Sequence, residues 1–176
     1  MKESKNYGLI RRIDDFGRII LPKEIRQFLN IHENDPMEIS LMSRGIYLEK
    51  YQPLKTLESQ CERYLSALSK TCGAVCAICG REYVIGSKGI PLSTNLRLSE
   101  TVREHISNLD TYHYCESSSV RLFSDGSYPV DTIQPIGTKE KPLGAVILLH
   151  YHNTTPEEIS CAKLVAGILT ELILNQ

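Results

Sequence analysis

The chain has 176 residues, of which 41% are hydrophobic and 23% charged, with a formal net charge of −1. This composition is typical of a globular protein of one large or two small domains, and it argues against a uniformly basic nucleic-acid coat. The longest apolar run, at residues 144–149, is too short to span a bilayer, and "MKESKNY" at the N-terminus lacks the apolar segment of a secretory signal. We therefore expect a cytoplasmic protein whose six cysteines are reduced thiols.

Positive charge is concentrated near the N-terminus. Residues 7–28 contain five basic and three acidic residues, whereas residues 29–53 contain two basic and four acidic residues. A local excess of positive charge is what a surface needs in order to dock on a polyanion.

The first fifty residues predict four short strands and one short helix. A strand at 8–14 leads into the turn "DDFG", where Gly17 supplies conformational freedom, and a return strand follows at 18–21. Pro22 begins a helix of about two turns. Its apolar stripe, which we expect to pack on the sheet, consists of Ile25, Phe28 and Leu29.

A hairpin completes this part of the chain. In "MEISLM" the side chains of Met37, Ile39 and Leu41 alternate and are predicted to point inward. The return strand at 46–51 has Ile46 and Leu48 on one face.

These fifty residues are too few to form a large core. They contain no cysteine and a single histidine, so neither a disulfide nor a metal can supply the missing stability. We therefore expect an intertwined homodimer, in which strands of one chain complete the sheet of the other.

The segment "YGLIRRIDDFGRIILPKEIRQFLNIHENDPMEI", followed by "IYLEKYQP", closely resembles the swapped-hairpin DNA-binding domain of the AbrB family of bacterial transition-state regulators. The whole chain is most similar to the stage V sporulation protein T type within that family. The resemblance implies an AbrB-type DNA-binding domain at 1–53. It also implies a GAF-like sensory or oligomerisation domain at 54–176, with a linker helix at 54–71.

By this resemblance the partner is double-stranded DNA. Arg11, Arg18 and Arg26 match the family's DNA-contacting arginines. The full set of implied DNA-binding positions is Arg11, Arg12, Arg18, Lys23, Arg26 and Gln27. Gln27 departs from the family pattern, in which a second arginine usually follows the first in this helix. The positions of Lys23, Arg26 and Gln27 place them on one helix face.

An alternative follows from the residues alone. The arginines could be solvated strand residues that are paired with nearby carboxylates. The carboxylates in question are Asp14, Asp15 and Glu24. By the resemblance, Asp14 and Asp15 form the turn or orient arginines and do not contact DNA themselves.

The segment after Pro53 predicts a helix with a 3-4-3-4 apolar seam. The seam consists of Leu54, Leu57, Cys61, Tyr64 and Leu68. Such a seam is typical of a coiled coil, but it covers barely two heptads. The helix can therefore pair across the dimer, pack on its own domain, or do both.

The remaining sequence predicts an antiparallel sheet with helices. Strands are predicted at 74–79, 82–87, 119–123, 130–136 and 143–152, with a helix from about Ser99 and a final helix after Thr155. In the final helix Thr155 and Glu158 form a capping box. This order resembles a GAF domain, in which the terminal helices are bundled on one face of the sheet. The fold class is therefore α+β.

Catalytic and metal sites are not expected. Cys72, Cys76 and Cys79 have a tempting spacing, but on a strand Cys76 and Cys79 point to opposite faces. Two further pairs are His113 with Cys115 and His150 with His152. They could together bind a metal ion if the strands that carry them lay close to one another. No nucleophile elbow, P-loop or HExxH motif occurs in the sequence. We expect no cofactor apart from an unidentified small molecule that a GAF-like domain could bind.

The sequence thus predicts a nucleoid-associated transcription regulator of the cytoplasm, dimeric through its N-terminal domain and tetrameric if the GAF-like domains also associate. Two alternatives stay open. One is an antitoxin of the swapped-hairpin type, although such antitoxins usually end in a disordered toxin-wrapping tail and this C-terminal half is apolar and periodic. The other is a ligand- or redox-sensing module with weak DNA binding, which the six thiols and Gln27 favour.

Overall fold

The computed structural model describes residues 9–29, 31–94, 96–116 and 118–175. The chain forms two compact units, the first ending at Tyr51 and the second beginning at Gln52. Gly8, where the first strand is predicted to begin, lies outside the described residues, as do residues 1–7 of the predicted first domain.

The N-terminal unit contains one helix and one hairpin. Helix α1 (Lys23–Phe28) follows Pro22, and strands β1 (Met37–Met42) and β2 (Gly45–Lys50) pair antiparallel. Proline suits a helix start because the first helical N–H groups have no partner within the helix. The predicted helix and hairpin are confirmed.

The two predicted strands around the first turn are wrong for the single chain. The structure describes no strand at 9–14 or at 18–21. The backbones of the two segments meet at Asp14, whose N–H donates to the carbonyl oxygen of Arg18 at 3.1 Å. A strand requires a partner along its length, and within the described residues of one chain these segments have none beyond the turn.

The apolar side chains of this unit are not covered. Apart from Pro22, none of the aliphatic or aromatic side chains at 9–29 and 31–51 is buried, and Leu41 and Phe28 are 86% and 76% exposed. The single chain therefore offers no core to Ile39, Leu41 or the α1 stripe, and their burial, which was expected in an intertwined dimer, stays a prediction. The physical reason is that a two-stranded hairpin has no second layer within the described part of this unit.

The C-terminal unit is a five-stranded antiparallel sheet with helices on both faces. Its elements are α2 (Pro53–Thr56), α3 (Glu58–Cys72), β3 (Cys76–Cys79), β4 (Val84–Lys88), α4 (Glu100–Asn108), β5 (Tyr112–His113), β6 (Val130–Gly137), β7 (Pro142–Leu149) and α5 (Pro156–Leu174). The strands lie in the order β4-β3-β7-β6-β5. The predicted antiparallel sheet with helices is confirmed.

A separate hydrophobic core covers each face of this sheet. On one face α2, α3 and α5 share a core that includes Leu65 and Leu169, and on the other α4 shares a core that includes Ile106 and Phe123. Alternation along β3 sends Cys76 and Ile78 into the first core and Ala77 and Cys79 into the second. Cys76 and Cys79 thus point to opposite faces, as predicted.

The final helix begins as the sequence predicts. The Thr155 hydroxyl accepts the N–H of Glu158 at 3.3 Å, and the Glu158 carboxylate accepts the N–H of Thr155 at 2.7 Å. This reciprocal pair is the predicted capping box, and it satisfies two N–H groups that a helix start leaves unpaired.

The apolar seam after Pro53 packs on its own unit. Leu54, Leu57, Cys61 and Leu68 are buried in the core with α5, and Tyr64 is packed against that core. Leu57 is only 5% exposed. The side chain of Leu57 therefore has no surface left for pairing across a dimer, and own-domain packing is the alternative that the structure supports.

Two strand predictions in this unit need correction. Residues 119–123 form no strand but only isolated bridges, between Leu98 and Phe123 and between Arg121 and Pro129, and the short β5 takes the sheet edge. Strand β7 ends at Leu149, so His150 and His152 do not lie on a strand. Within the described residues, no helix is both long and apolar enough to cross a membrane.

Candidate nucleic-acid interface

The six sequence-predicted DNA-binding residues occupy three places in the N-terminal unit. Arg11 and Arg12 precede the first turn, Arg18 directly follows it, and the others lie on α1. All six side chains are exposed. The structure brings Arg18 together with Asp14 and leaves Arg11 and Arg12 on the other arm of the turn.

The side chain of Asp14 organises the turn. Its Oδ1 atom accepts the backbone N–H groups of Phe16 and Arg18, both at 2.9 Å. The N–H of Gly17 donates to the carbonyl oxygen of Asp14 at 2.9 Å, and Gly17 has a φ of +74°, a conformation that glycine adopts without strain. Asp14 is therefore a turn-former, as predicted.

Arg18 is held at the edge of this turn. Its Nε atom lies 2.8 Å from Oδ2 of Asp14, and its guanidinium carbon lies 4.8 Å from the ring centroid of Phe16. The carboxylate and the ring orient the guanidinium, while the side chain stays 69% exposed. The pairing of Arg18 with a carboxylate, which the alternative interpretation expects, is thus present. It uses the Nε atom of the guanidinium, which has further N–H groups that can donate to a phosphate.

Hydrogen bonds keep the Asp14 carboxylate ionised. The pKa of Asp14 is lowered from its ordinary value of 3.8, first because the backbone N–H of Arg18 donates to it, and further because of the Arg18 side chain and the N–H of Phe16. The loss of solvation opposes this change without reversing it.

The turn should therefore loosen only in strong acid. A depressed folded-state pKa means that the carboxylate stabilises the turn above its unfolded pKa, and that this stabilisation is lost as the pH falls through the folded value. We expect the Arg18 amide signal in NMR to titrate below pH 3.8. In the control Asp14→Asn, which keeps an oxygen acceptor but cannot ionise, this step should disappear. A step at or above the ordinary pKa would contradict the assignment.

A second polar face lies on α1. Lys23, Arg26 and Gln27 are exposed, and their spacing places them on one side of the helix. The helix is closed by two backbone bonds, from the N–H of Arg26 to the oxygen of Pro22 at 3.0 Å and from the N–H of Ile31 to the oxygen of Arg26 at 2.7 Å.

Sequence reasoning missed a partly buried ion pair, here called the clamp, that ties down the loop after this helix. The Oδ2 atom of Asp35 accepts the N–H of His32 at 2.7 Å and pairs with Nζ of Lys50 at 2.9 Å. Burial raises the pKa of Asp35, but these two partners outweigh it and the pKa is lowered overall. The clamp ties the loop after α1 to the end of β2. Sequence offered no signal for it, because the two charges lie far apart along the chain.

Phe16 was missed as well. In the sequence Phe16 is marked only as an aromatic residue in a predicted turn, two positions before Arg18. An aromatic ring at such a place can stack against a neighbouring guanidinium.

Two histidines of the C-terminal unit are paired with carboxylates. Nδ1 of His150 lies 2.9 Å from Asp131, and Nε2 of His152 lies 2.9 Å from Glu158. Each of these two histidines thus has a carboxylate partner of its own. In the described ranges no three His, Cys, Asp or Glu residues are arranged to hold a metal ion.

Comparison with known proteins gives two family matches. Residues 56–172 match the family described as "Stage V sporulation protein T C-terminal, transcription factor". Residues 10–56 match the family described as "Antidote-toxin recognition MazE, bacterial antitoxin".

Curated relatives from Bacillus subtilis (strain 168) show similarity to the whole chain and to its N-terminal part. Stage V sporulation protein T is 33% identical over 171 residues, which cover 94% of this chain and 96% of that protein. Transition state regulatory protein AbrB is 39% identical over 54 residues, or 31% of this chain and 56% of that protein. Putative transition state regulator Abh is 39% identical over 49 residues, or 28% of this chain and 53% of that protein.

Proposed function

Because this chain belongs to the stage V sporulation protein T family, we propose that it is a bacterial DNA-binding transcription regulator of the transition-state and sporulation type. The family resemblance drawn from the residues is confirmed over nearly the full length of the chain. A regulator of this type acts in the cytoplasm, in association with the nucleoid.

The observation that carries DNA binding is the ordered presentation of Arg18. A guanidinium that is oriented by a carboxylate and an aromatic ring, yet remains largely exposed, is preorganised to meet a phosphate. Arg11, Arg12 and the polar face of α1 add exposed donors in the same unit. Contacts of this kind fix a protein on the DNA backbone and supply the electrostatic part of the affinity.

A second copy of the chain completes the DNA-binding unit in this proposal. Ile39 pairs with Leu48 and Leu41 with Ile46 across the hairpin, which gives one face of four aliphatic side chains. Three of them are more than 60% exposed in the single chain. A swapped-hairpin dimer would bury this face and would repeat the arginine patch about a two-fold axis, which suits successive grooves of DNA.

The C-terminal unit is proposed to act as a GAF-like sensory or oligomerisation domain. Its support is the sheet order β4-β3-β7-β6-β5 with α3 and α5 on one face. The outer side of α5 carries Leu164, Ile168 and Leu172 around Gly167, a surface on which a second C-terminal unit could complete a tetramer. A small-molecule ligand is part of the proposal without an assigned site, since both sheet faces are filled by side chains.

An antitoxin is the second candidate, and the match of residues 10–56 to the MazE family favours it. Against it, residues 56–172 match a transcription-factor family and fold around two cores of their own. A folded domain of this kind differs from the tail of an antitoxin, which is disordered until it binds its toxin.

The arginine assignment is tested by salt-dependent DNA binding. Arg18→Ala should weaken binding to many DNA sequences and reduce the slope of log affinity against log salt by about one per contact, and by about two for a dimer. Arg44→Ala, which removes an exposed arginine from the hairpin turn, is the matched control and should leave the slope unchanged. If the two variants behave alike, Arg18 does not contact phosphate.

The regulatory role is tested separately by mapping bound DNA sites across the genome of the native host. Discrete sites near promoters are expected. Their absence, with toxin co-purifying instead, would favour the antitoxin.

A further inference from the structure

The first turn presents an aromatic side chain at its tip. Phe16 is 81% exposed. Its backbone N–H donates to Oδ1 of Asp14 at 2.9 Å, and the guanidinium carbon of Arg18 lies over its ring at 4.8 Å from the centroid. Oδ2 of the same carboxylate accepts the Nε–H of Arg18 at 2.8 Å. One carboxylate therefore fixes both the backbone of Phe16 and the cation beside its ring.

The turn leaves room for another molecule to approach closely. Gly17 adjoins Phe16, and apart from its chain neighbours a Cβ atom at Gly17 would meet no atom of the described residues within 4 Å. A glycine allows close approach of a backbone to a ligand because it has no side chain. The ring of Phe16 is thus the largest side chain among residues 14–17.

The charges beside Phe16 argue against burial of its ring in a protein core. The ring contacts the Arg18 guanidinium, which is paired with Asp14, so a protein surface that covered the ring would also take these two charges out of water. Their mutual attraction often fails to recover the free energy that this costs. DNA differs from such a surface, because its phosphates can pair with an arginine while its bases offer faces on which an aromatic ring can stack.

We propose that Phe16 is a wedge that enters a groove of double-stranded DNA and inserts its ring between two neighbouring base pairs. This inference rests on the proposed function, since it concerns how the same turn meets DNA. Apolar side chains used in this way partly unstack the bases and kink the duplex. Arg18 then pairs with a phosphate beside the opened step, so that the two neighbouring side chains contact different parts of the DNA.

The wedge divides the work of binding between two side chains. Arg18 adds affinity for DNA of any sequence, because every nucleotide carries a phosphate. Phe16 favours steps that unstack readily, such as TA, because less free energy is spent on opening them. In a two-fold dimer each wedge occurs twice, so two kinks are expected in each bound site.

The first experiment uses a single fluorophore, because the chain contains no tryptophan. The full chain carrying Phe16→Trp is mixed with an A·T-rich duplex that contains TA steps. Without DNA we expect the emission of an exposed indole that acrylamide quenches. With DNA the indole should stack on bases, lose intensity and become inaccessible to acrylamide. An indole that is already shielded without DNA, or one that does not respond to a bound duplex, would overturn the proposal.

Phe28→Trp is the matched control. Phe28 is also exposed in the single chain, at 76%, but it belongs to the apolar stripe of α1, which a second copy is expected to cover. DNA should therefore leave the emission of this variant nearly unchanged. An equal response at positions 16 and 28 would mean that the quenching does not come from the tip of the turn, and the wedge would have to be abandoned.

The second experiment measures the kink, by energy transfer between dyes at the two ends of the same duplex. The unaltered chain should shorten the end-to-end distance. Phe16→Ala should restore the distance of straight DNA and weaken binding by about tenfold, whereas Phe16→Leu keeps an apolar wedge and should retain most of the kink. The salt slope should be unchanged in both variants, because the ring contacts no phosphate. A fall in slope equal to that of Arg18→Ala would mean that Phe16 only positions Arg18, which refutes the wedge.

The two experiments separate a failure of the wedge from a failure of DNA binding. If the unaltered chain binds the duplex with a salt slope that depends on Arg18 but leaves the duplex straight, the wedge is wrong and the proposed function stands. If the unaltered chain binds no duplex at low salt, both are wrong.

Discussion

Replacing Leu41 with lysine will convert the assembled protein into smaller species and abolish DNA binding. In a lone chain this substitution should be nearly neutral, because Leu41 is 86% exposed there. If a second copy covers the aliphatic hairpin face, the lysine places an unpaired charge in an apolar interface, at a cost of several kcal/mol that a small dimer cannot absorb. The measurements are mass by light scattering and affinity by gel shift on the same preparation.

Ser40→Lys is the matched control. It adds the same charge to the adjacent position of β1, whose side chain points to the other face of the hairpin. We expect this variant to keep the mass and the DNA affinity of the unaltered chain. In a swapped dimer the N-terminal unit folds and associates in a single event. The melting temperature of this unit should therefore also rise with protein concentration. Equal mass and affinity in both lysine variants would refute the swapped dimer.

Gly144→Ala will destabilise the C-terminal unit severely. A Cβ atom at Gly144 would overlap the backbone carbonyl oxygen of Cys79 and would lie 2.6 Å from Cδ1 of Leu54. The clash falls beside the pair of Cys79 with Ala145, where β3 and β7 meet near the middle of the sheet. Because the backbone cannot give way there without separating two strands, we expect a loss of about 3 kcal/mol or more.

The measurement is the thermal unfolding of the C-terminal unit, with Gly86→Ala as the control. At Gly86 the nearest atom to a new Cβ is Cδ1 of Leu65 at 3.1 Å, the end of a side chain that can rotate away. Gly144→Ala should lower the melting temperature by about 10 °C or more, and Gly86→Ala should have a much smaller effect. Equal shifts would mean that the sheet can open at Gly144 more easily than its geometry indicates.

The elements that sequence predicted correctly are those with local signals. Helix α1 is marked by a proline at its start, and α5 by the Thr155 and Glu158 capping box. Strand β7 contains the longest apolar run of the chain, β6 carries Val130, Ile133 and Ile136, and both strands are buried along nearly their full length. In each case the information lies within a few residues of the element itself.

The wrong predictions share the opposite property. Residues 9–14 and 18–21 have the composition of strands, but a strand exists only where another strand pairs with it, and sequence periodicity does not say which chain supplies the partner. Residues 119–123 alternate like a strand, yet Leu122 and Phe123 enter the core from an irregular loop. The edge strand β5 has two residues, which are too few to show the alternation of apolar and polar residues that marks a strand.

The candidate site was predictable only in outline. The turn followed from Gly17 and the preceding aspartates, and the choice of arginines followed from the family resemblance. The orientation of Arg18 depends on its distances to Asp14 and Phe16, and the position of the loop after α1 depends on the Asp35–Lys50 pair. The first relation depends on the exact conformation of the turn and the second on the register of the hairpin, and the residue types alone specify neither.

The order of strands in the C-terminal sheet also determines when that unit can fold during synthesis. Strand β7 lies between β3 and β6 but is the last strand to leave the ribosome. Until residue 149 has emerged, β3 and β6 each keep one edge unpaired, and α5 is not yet present to cover its face of the sheet. The N-terminal unit is complete much earlier. Nascent chains are therefore expected to associate through their N-terminal units first, and a chain that terminates before β7 would carry open sheet edges that invite aggregation.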